Sequence, residues 1–200
     1  YETHNDYGIT VTMERNGLSF RYGYHRSPDI TVDTSSQLQE LFDGLNAAGF
    51  SSLVDELKID GITAEFYNLG VGLDYRDWTF AAEYVLLPTE GGLAPDESSW
   101  HLSAAKRIDD WTFHATYGDR HRRMDDDFAQ SIYTQANAIG APFNAGLLQL
   151  ADGLDQAEQA QNINIHSYAI GMRYDFSRPI SIKAEYQHIV DDQFNLTNNL

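Results

Sequence analysis

Hydrophobic and polar residues alternate over much of the chain, and one eight-residue pattern of this kind occurs four times. The pattern reads turn residue, apolar, Thr or Ser, apolar, variable, Ala or Tyr, variable, Tyr. Its copies are residues 17–24, 77–84, 110–117 and 179–186. A period of two is typical of β-strands that have one apolar face. The sequence therefore predicts four strands that share one pattern.

A tight-turn signal and a second alternating stretch precede each copy. The turns are Arg15-Asn16-Gly17, Arg76-Asp77, Asp109-Asp110 and Ser177-Arg178-Pro179. The stretches before them are residues 7–14, 63–75, 99–108 and 162–176. The pattern thus predicts about eight strands in four hairpins.

Long connections join the hairpins at their other ends, over residues 26–61, 88–98 and 120–161. Short turns on one side and long loops on the other are typical of outer-membrane barrels. No apolar run is long enough for a transmembrane helix. We therefore predict an all-β, antiparallel, up-and-down transmembrane β-barrel that fills residues 1–200 as one domain or part of one.

Residue parity divides the predicted strands into two faces. The apolar face carries Tyr67, Leu69, Val71, Leu73, Tyr75, Trp78, Phe80, Ala82, Tyr84, Leu86, Trp111, Phe113, Ala115, Tyr117, Tyr168, Ile170, Met172, Tyr174 and Phe176. The other face carries Asn68, Gly70, Gly72, Asp74, Thr79, Glu83, Thr112, His114, Gly171, Arg173, Lys183 and Glu185. A soluble lipocalin-like barrel that binds a ligand has a similar alternation, with the apolar face turned inward.

Aromatic residues cluster where the predicted strands meet the short turns. They are Tyr75, Trp78, Trp111, Tyr174 and Phe176. Amphipathic rings are favoured at the membrane–water interface, so this row predicts an aromatic girdle. Together with a polar face that mixes glycine and both charge signs, the girdle favours the membrane barrel over the soluble one.

Composition excludes several functions. The chain has no cysteine, which rules out disulfides and thiolate metal sites, and its net charge of −17 argues against nucleic-acid binding. The histidines lack metal-ligand spacing, and Asp119-Arg120-His121 has no clear nucleophile beside it. We therefore expect no enzyme activity, no metal and no cofactor.

One family resemblance rests on two motifs. Residues 171–187 resemble the last hairpin of Gram-negative porins, and so does the pattern Trp-Thr-Phe-x-Ala-x-Tyr that follows Asp77 and again follows Asp110. The resemblance implies a bacterial outer-membrane location, passive diffusion of small hydrophilic solutes or ions, contact with lipid and lipopolysaccharide, and a homotrimer. Family members are longer, so we expect part of a larger barrel. A small outer-membrane barrel with a structural, adhesive or binding role is the alternative.

The polar face offers candidate pore-lining residues, with basic and acidic side chains opposed. They are Arg21, Asp74, Glu83, Arg107, His114, Arg173, Lys183 and Glu185. In a wide lumen, opposed charges sort solutes by size and charge. In a narrow barrel, the same residues form a salt-bridge network that fills the interior.

The long connections hold a net charge of −11. This acidity is typical of a solvated surface, and it also suits divalent ions or cation enrichment at a pore mouth. Ser36 and Gln39 predict a capping box before an amphipathic helix, and a looser helical pattern runs from Leu147 to Leu154. Such helices narrow the lumen, cap the barrel or join subunits, and the pattern does not choose among these.

Overall fold

The computed structural model describes residues 2–3, 5–124, 128–140, 144–177 and 180–191. Eight long strands and two two-residue strands lie within these ranges. They are β1 Glu2–Thr3, β2 Tyr7–Arg15, β3 Leu18–Thr31, β4 Ile62–Tyr75, β5 Trp78–Leu87, β6 Thr89–Glu90, β7 Asp96–Ile108, β8 Trp111–Arg123, β9 Ile163–Ser177 and β10 Ile180–Asp191. The predicted strands are all present, and β3, β7 and β8 run further toward the long connections than the pattern indicated.

The strands form one antiparallel sheet in which sequence neighbours pair. The order of the long strands is β2, β3, β4, β5, β7, β8, β9 and β10, while β1 and β6 pair with the far ends of β3 and β4. Within the part of the chain that the structure describes, no pairing joins β2 to β10, so the sheet is open. An open up-and-down meander is the arrangement expected of part of a larger barrel wall.

Three tight turns use backbone conformations that fit the twist of a hairpin. Asn16 and Gly17 both have positive φ, 52° and 80°, as a type I′ turn requires. A side chain on Gly17 would collide with the carbonyl oxygen of Asp74 in the next hairpin. Arg76 and Asp109 open their turns with φ of 56° and 55°. The fourth predicted turn, at Arg178 and Pro179, lies outside the described residues.

Four helices occupy the two longest connections. Helices α1 Ser36–Ala47 and α2 Ser51–Leu57 lie between β3 and β4, and α3 Phe128–Ile139 and α4 Ala145–Gln161 lie between β8 and β9. The sequence pattern had predicted α1 and the first half of α4 only. None of the described helices is long and apolar enough to cross a membrane.

The predicted capping box at Ser36 is wrong by one residue. Ser35 is the N-cap, because its extended backbone directs Oγ to the amide of Leu38, which donates to it at 3.3 Å. The Gln39 side chain donates instead to Asp43 within the helix, at 2.9 Å. The helix itself is confirmed.

The buried core lies among the loop helices and not on the sheet. Its members come from all three long connections and are Phe42, Leu45, Phe50, Val54, Leu57, Leu93, Met124, Phe128, Ala129, Ile132, Ala151 and Leu154. Gly44 lets α1 approach α4 closely, because a side chain there would press on Leu150. The connections therefore form one packed unit, which we call the loop cluster.

Candidate functional site

The strand register places all eight candidate pore-lining residues on the same face of the sheet, which we call the polar face. One register row begins with Asp74 on β4 and Thr79 on β5. The same row continues across β7 to His114 on β8, Gly171 on β9 and Glu185 on β10. In the next row toward the turns, Arg107, Thr112, Arg173 and Lys183 follow in the same way. Arg21 and Glu83 lie on either side of Gly70.

Many positions of the polar face carry small side chains that project little from the sheet. Glycine or alanine occupies many of its positions, including Gly8, Gly23, Gly70, Gly72, Ala81, Ala105, Gly118, Ala169 and Gly171. A hollow of about 410 Å³ spans five strands on this face, between Thr10 on β2 and His101 on β7. The charged side chains therefore project from a surface of small residues, with open space in front of that surface.

A histidine and a carboxylate meet across one of these glycines. His114 Nε2 lies 2.8 Å from Glu185 Oε2, although β9 separates the two strands. The imidazole spans the gap above Gly171, where any side chain would collide with it. Gly171 is thus the residue that allows this pair to form, and both partners remain partly exposed.

Acidic and basic residues are distributed unevenly over the polar face. Toward β4 and β5, Asp74 accepts a hydrogen bond from Thr79 Oγ1 at 2.7 Å, and Glu83 accepts one from Asn68. Toward β7 to β10, basic side chains follow one another in the row of Arg107, Arg173 and Lys183. Arg173 Nε lies 2.6 Å from Asp175 Oδ1, which balances part of that charge.

The opposite face, which we call the apolar face, exposes large hydrophobic side chains along every long strand. Val71, Phe113 and Ile170 are 45%, 45% and 59% exposed, and their neighbours in register are similar. A patch that runs over eight strands far exceeds what soluble monomers leave in water. Among the described residues, the core of the loop cluster contains no apolar-face residue of the long strands.

The predicted row of aromatic residues is present at the turn end of the apolar face. The indole of Trp111 lies 4.6 Å from the ring of Tyr174, which in turn lies 4.6 Å from Phe176. Tyr75 and Trp78 are direct partners in register, and Trp78 stacks on Phe80 at 5.6 Å. The girdle residues therefore form two aromatic groups, one on β4 and β5 and one on β8 and β9, with Lys106 and Ile108 of β7 between them.

A second aromatic row at the loop end of the apolar face was missed by the sequence analysis. It contains Tyr24, Tyr67, Tyr84, Trp100, Tyr117 and Tyr168. The two rows are six to eight residues apart along the strands, from Trp111 to Tyr117 and from Tyr67 to Tyr75. At 3.3 Å per residue that is about 20–26 Å along the strand, or about 14–21 Å along the barrel axis for a strand tilt of about 35–45°, which lies within the apolar band of an outer-membrane barrel.

One carboxylate is held within this second row. Glu65 accepts hydrogen bonds from Tyr24 Oη at 2.8 Å and from Tyr67 Oη at 2.7 Å, one on each oxygen. Arg26 Nη1 approaches the same carboxylate at 3.4 Å. The charge of Glu65 is thereby balanced at the edge of the apolar surface.

Charged residues occur on the apolar face only toward the strand ends. They include Arg15 and Lys106 at the turn end, and Arg26, Glu65 and Asp119 at the loop end. The parity pattern read from the sequence did not include β7, and it stopped short of the loop-end residues. For this reason it showed no charge on this face.

The described residues contain no group of three or more His, Asp or Glu side chains placed to hold a metal ion. The carboxylate of Asp119 and the imidazole of His121 are 2.5 Å apart at the loop end of β8, on the apolar face. This pair is distant in register from the turn-end row of Arg107 and Lys183.

A family model for Gram-negative porins matches residues 1–193. No curated protein matches the chain. Among solved structures, a porin refined at 1.8 Å resolution is 13% identical with a TM-score of 0.49, and the match covers 92% of this chain and 45% of that one. OccD3 (OpdP) of Pseudomonas aeruginosa is 12% identical with a TM-score of 0.48, over 93% of this chain and 44% of that one. The chain thus spans less than half the length of these structures.

Proposed function

The chain belongs to the Gram-negative porin family, and from this membership we propose that it forms part of the wall of an outer-membrane channel for small hydrophilic solutes or ions. The family points to a channel and not to an enzyme. In this proposal the apolar face meets lipid and the polar face lines the lumen. The strands and the loop cluster then belong to one barrel domain.

The observation that carries the proposal is the separation of the two faces over the central part of eight strands. The band between the two aromatic rows bears large apolar side chains, with residues such as Val71 and Ile170 at its centre. The other face bears the glycines and the charged residues. A surface of the first kind is stable against hydrocarbon, and one of the second kind is stable against water.

Ion selectivity tests whether the polar face lines a conduction path. In the full-length protein reconstituted into planar bilayers, Arg173→Gln combined with Lys183→Gln should shift the reversal potential toward cation selectivity. Loop charges are screened within about 8–10 Å at moderate salt, so the shift should persist at high salt if the lumen charges cause it.

The matched control removes two positive charges elsewhere, with Arg15→Gln on the apolar face and Lys58→Gln in the loop cluster. This control should leave selectivity close to that of the parent at high salt. Equal selectivity in the parent and in the Arg173/Lys183 variant would show that these side chains lie outside the conduction path. A full-length protein that forms no channels would contradict the proposed function.

The proposal also includes partners. Outer-membrane lipid and lipopolysaccharide would contact the apolar face, and family membership supports a homotrimer. The mass of the full-length protein in detergent, measured by light scattering with the detergent subtracted, should correspond to three chains. A monomeric mass under mild detergent conditions would contradict the trimer and leave the channel proposal standing.

A further inference from the structure

Two cations lie against aromatic rings at the turn end of the apolar face. The guanidinium of Arg76 lies over the ring of Tyr75, 5.2 Å from its centroid, and the ammonium of Lys106 lies 5.1 Å from the Trp78 centroid. Tyr75, Trp78 and Lys106 are direct partners on three consecutive strands. The four side chains therefore form one compact group, which we call the turn-end basic group.

The position of Lys106 is unusual for a basic residue. Its register partners on the same face are Trp78 and Phe113, and its side chain is only 30% exposed. A lysine beside lipid is stable when its stem lies along apolar side chains and its ammonium reaches the polar headgroups. The contact with Trp78 fits this arrangement, because an indole also favours the interface.

The nearby carboxylates do not cancel the positive charge of the group. Asp77 Oδ2 lies 3.4 Å from Lys106 Nζ and is the only ion-pair partner that the described structure gives to this ammonium. With Arg76, Lys106 and Asp77 the group keeps a net charge of +1, in a chain whose total is −17. The adjacent turn carries the exposed carboxylates of Asp109 and Asp110, and in the described structure neither forms an ion pair with Lys106 or Arg76.

The sizes of the side chains next to the group, toward the middle of the apolar band, indicate a shallow trough there. In the register row after Lys106, Ala104 and Ala115 are neighbours, with Phe80 on one side and Ile170 on the other. Two small residues between two large ones leave a floor about 10 Å wide, or two strand spacings. An extended hydrocarbon chain fits such a floor.

Cations beside interfacial aromatic rings, with an apolar trough next to them, match the chemistry of an anionic glycerophospholipid. We infer that the turn-end basic group is a binding site for the phosphate headgroup of such a lipid, with one acyl chain over Ala104 and Ala115. The inference rests on the proposed function, because it requires the apolar face to lie in a bilayer. It adds a lipid preference at one place on that face.

Trp78 reports on this site directly. The full-length protein, with every tryptophan except Trp78 replaced by phenylalanine, is placed in bilayers that mix phosphatidylcholine and phosphatidylglycerol. Either lipid carries bromine on its acyl chains, and quenching of Trp78 fluorescence gives the relative affinity of the two lipids. We expect a preference of about three- to fivefold for phosphatidylglycerol, the size expected for one basic residue near a membrane surface.

The variant Arg76→Gln with Lys106→Gln should abolish the preference, so that the ratio of the two affinities is about one. Arg21→Gln on the polar face should leave the preference unchanged. A protein that keeps only Trp100, at the loop end, should show no lipid preference, with or without the Arg76→Gln and Lys106→Gln substitutions. Equal quenching by both lipids at Trp78, or a preference that survives the double substitution, would overturn the site. Absence of quenching by either lipid would instead overturn the lipid-facing assignment on which the proposed function rests.

Discussion

At the scale of single residues, the face of the sheet on which a side chain lies determines whether a charge is tolerated there. Val71 and Gly72 are adjacent in the chain, yet one side chain lies between Phe20 and Ala82 on the apolar face and the other position faces Ser19. A charge is costly where it must leave water for hydrocarbon, and it is tolerated where it stays hydrated. Neighbouring positions should therefore respond to the same substitution in opposite ways.

Val71 lies midway between Tyr67 and Tyr75, so Val71→Arg tests the centre of the apolar band. We expect a loss of about 2–4 kcal/mol in the free energy of unfolding, measured by urea titration in lipid vesicles. Thr116→Arg is the matched control, since Thr116 lies on the polar face, in the register row of Gly72. Similar losses for both variants would be incompatible with a lipid-facing surface at Val71.

At the scale of elements, the strands and the helices obtain their stability from different sources. The long strands are held by continuous backbone pairing, with little burial of their side chains within the described chain. The helices are held by the apolar core of the loop cluster, where Leu45, Ile132 and Leu154 are fully buried. Glu158, itself buried, accepts a hydrogen bond from the Ala129 amide at 3.1 Å and so ties α4 to the start of α3.

Removing one core side chain should therefore loosen the helices without affecting the sheet. Leu154→Ala deletes a fully buried side chain, and such changes cost about 2–5 kcal/mol. Hydrogen exchange followed by mass spectrometry should show faster exchange in α1, α3 and α4, with unchanged protection in β4 to β9. Ile139→Ala serves as the control, because Ile139 is 55% exposed at the end of α3. Loss of protection in the strands would mean that the cluster and the sheet unfold together.

At the scale of the whole molecule, the acidic connections and the loop cluster lie toward the same end of the strands. The tight turns lie at the other end. The loop-end connections counted from the sequence hold −11 of the total charge of −17. Outer-membrane barrels have short periplasmic turns and longer extracellular loops, so we expect the loop cluster to face outside the cell and the tight turns to face the periplasm.

These 200 residues contain no cysteine, so thiols introduced among them test this orientation in a full-length protein whose other cysteines, where present, are replaced by serine. Ser52→Cys is on an exposed position of α2, and Asp110→Cys is on an exposed position of a tight turn. A membrane-impermeant maleimide added to intact cells should label the first variant of the full-length protein and not the second. After the cells are broken, both should react. Labelling of Asp110→Cys alone on intact cells would reverse the orientation.

Local sequence patterns predicted the strands, the three described tight turns and the two faces. Alternation has a period of two, and turns such as Asn16-Gly17 depend on the conformations open to a few adjacent residues. Both are local, so they can be read in order along the chain. The polar position of Arg173 and the aromatic row around Trp111 followed from parity alone.

The tertiary structure decided what depends on pairing between distant segments. The second aromatic row, the place of Lys106 beside Trp78, and the meeting of His114 with Glu185 all require the register of separate strands, which no single segment contains. Helix α2 was missed because it is only seven residues long and has no side-chain cap, and helix α3 was missed although Phe128, Ile132 and Ala136 follow a helical spacing and are buried in the loop cluster. Hydrogen bonding and burial between elements fixed these features, because their free energy comes from contacts that form only after the chain has folded.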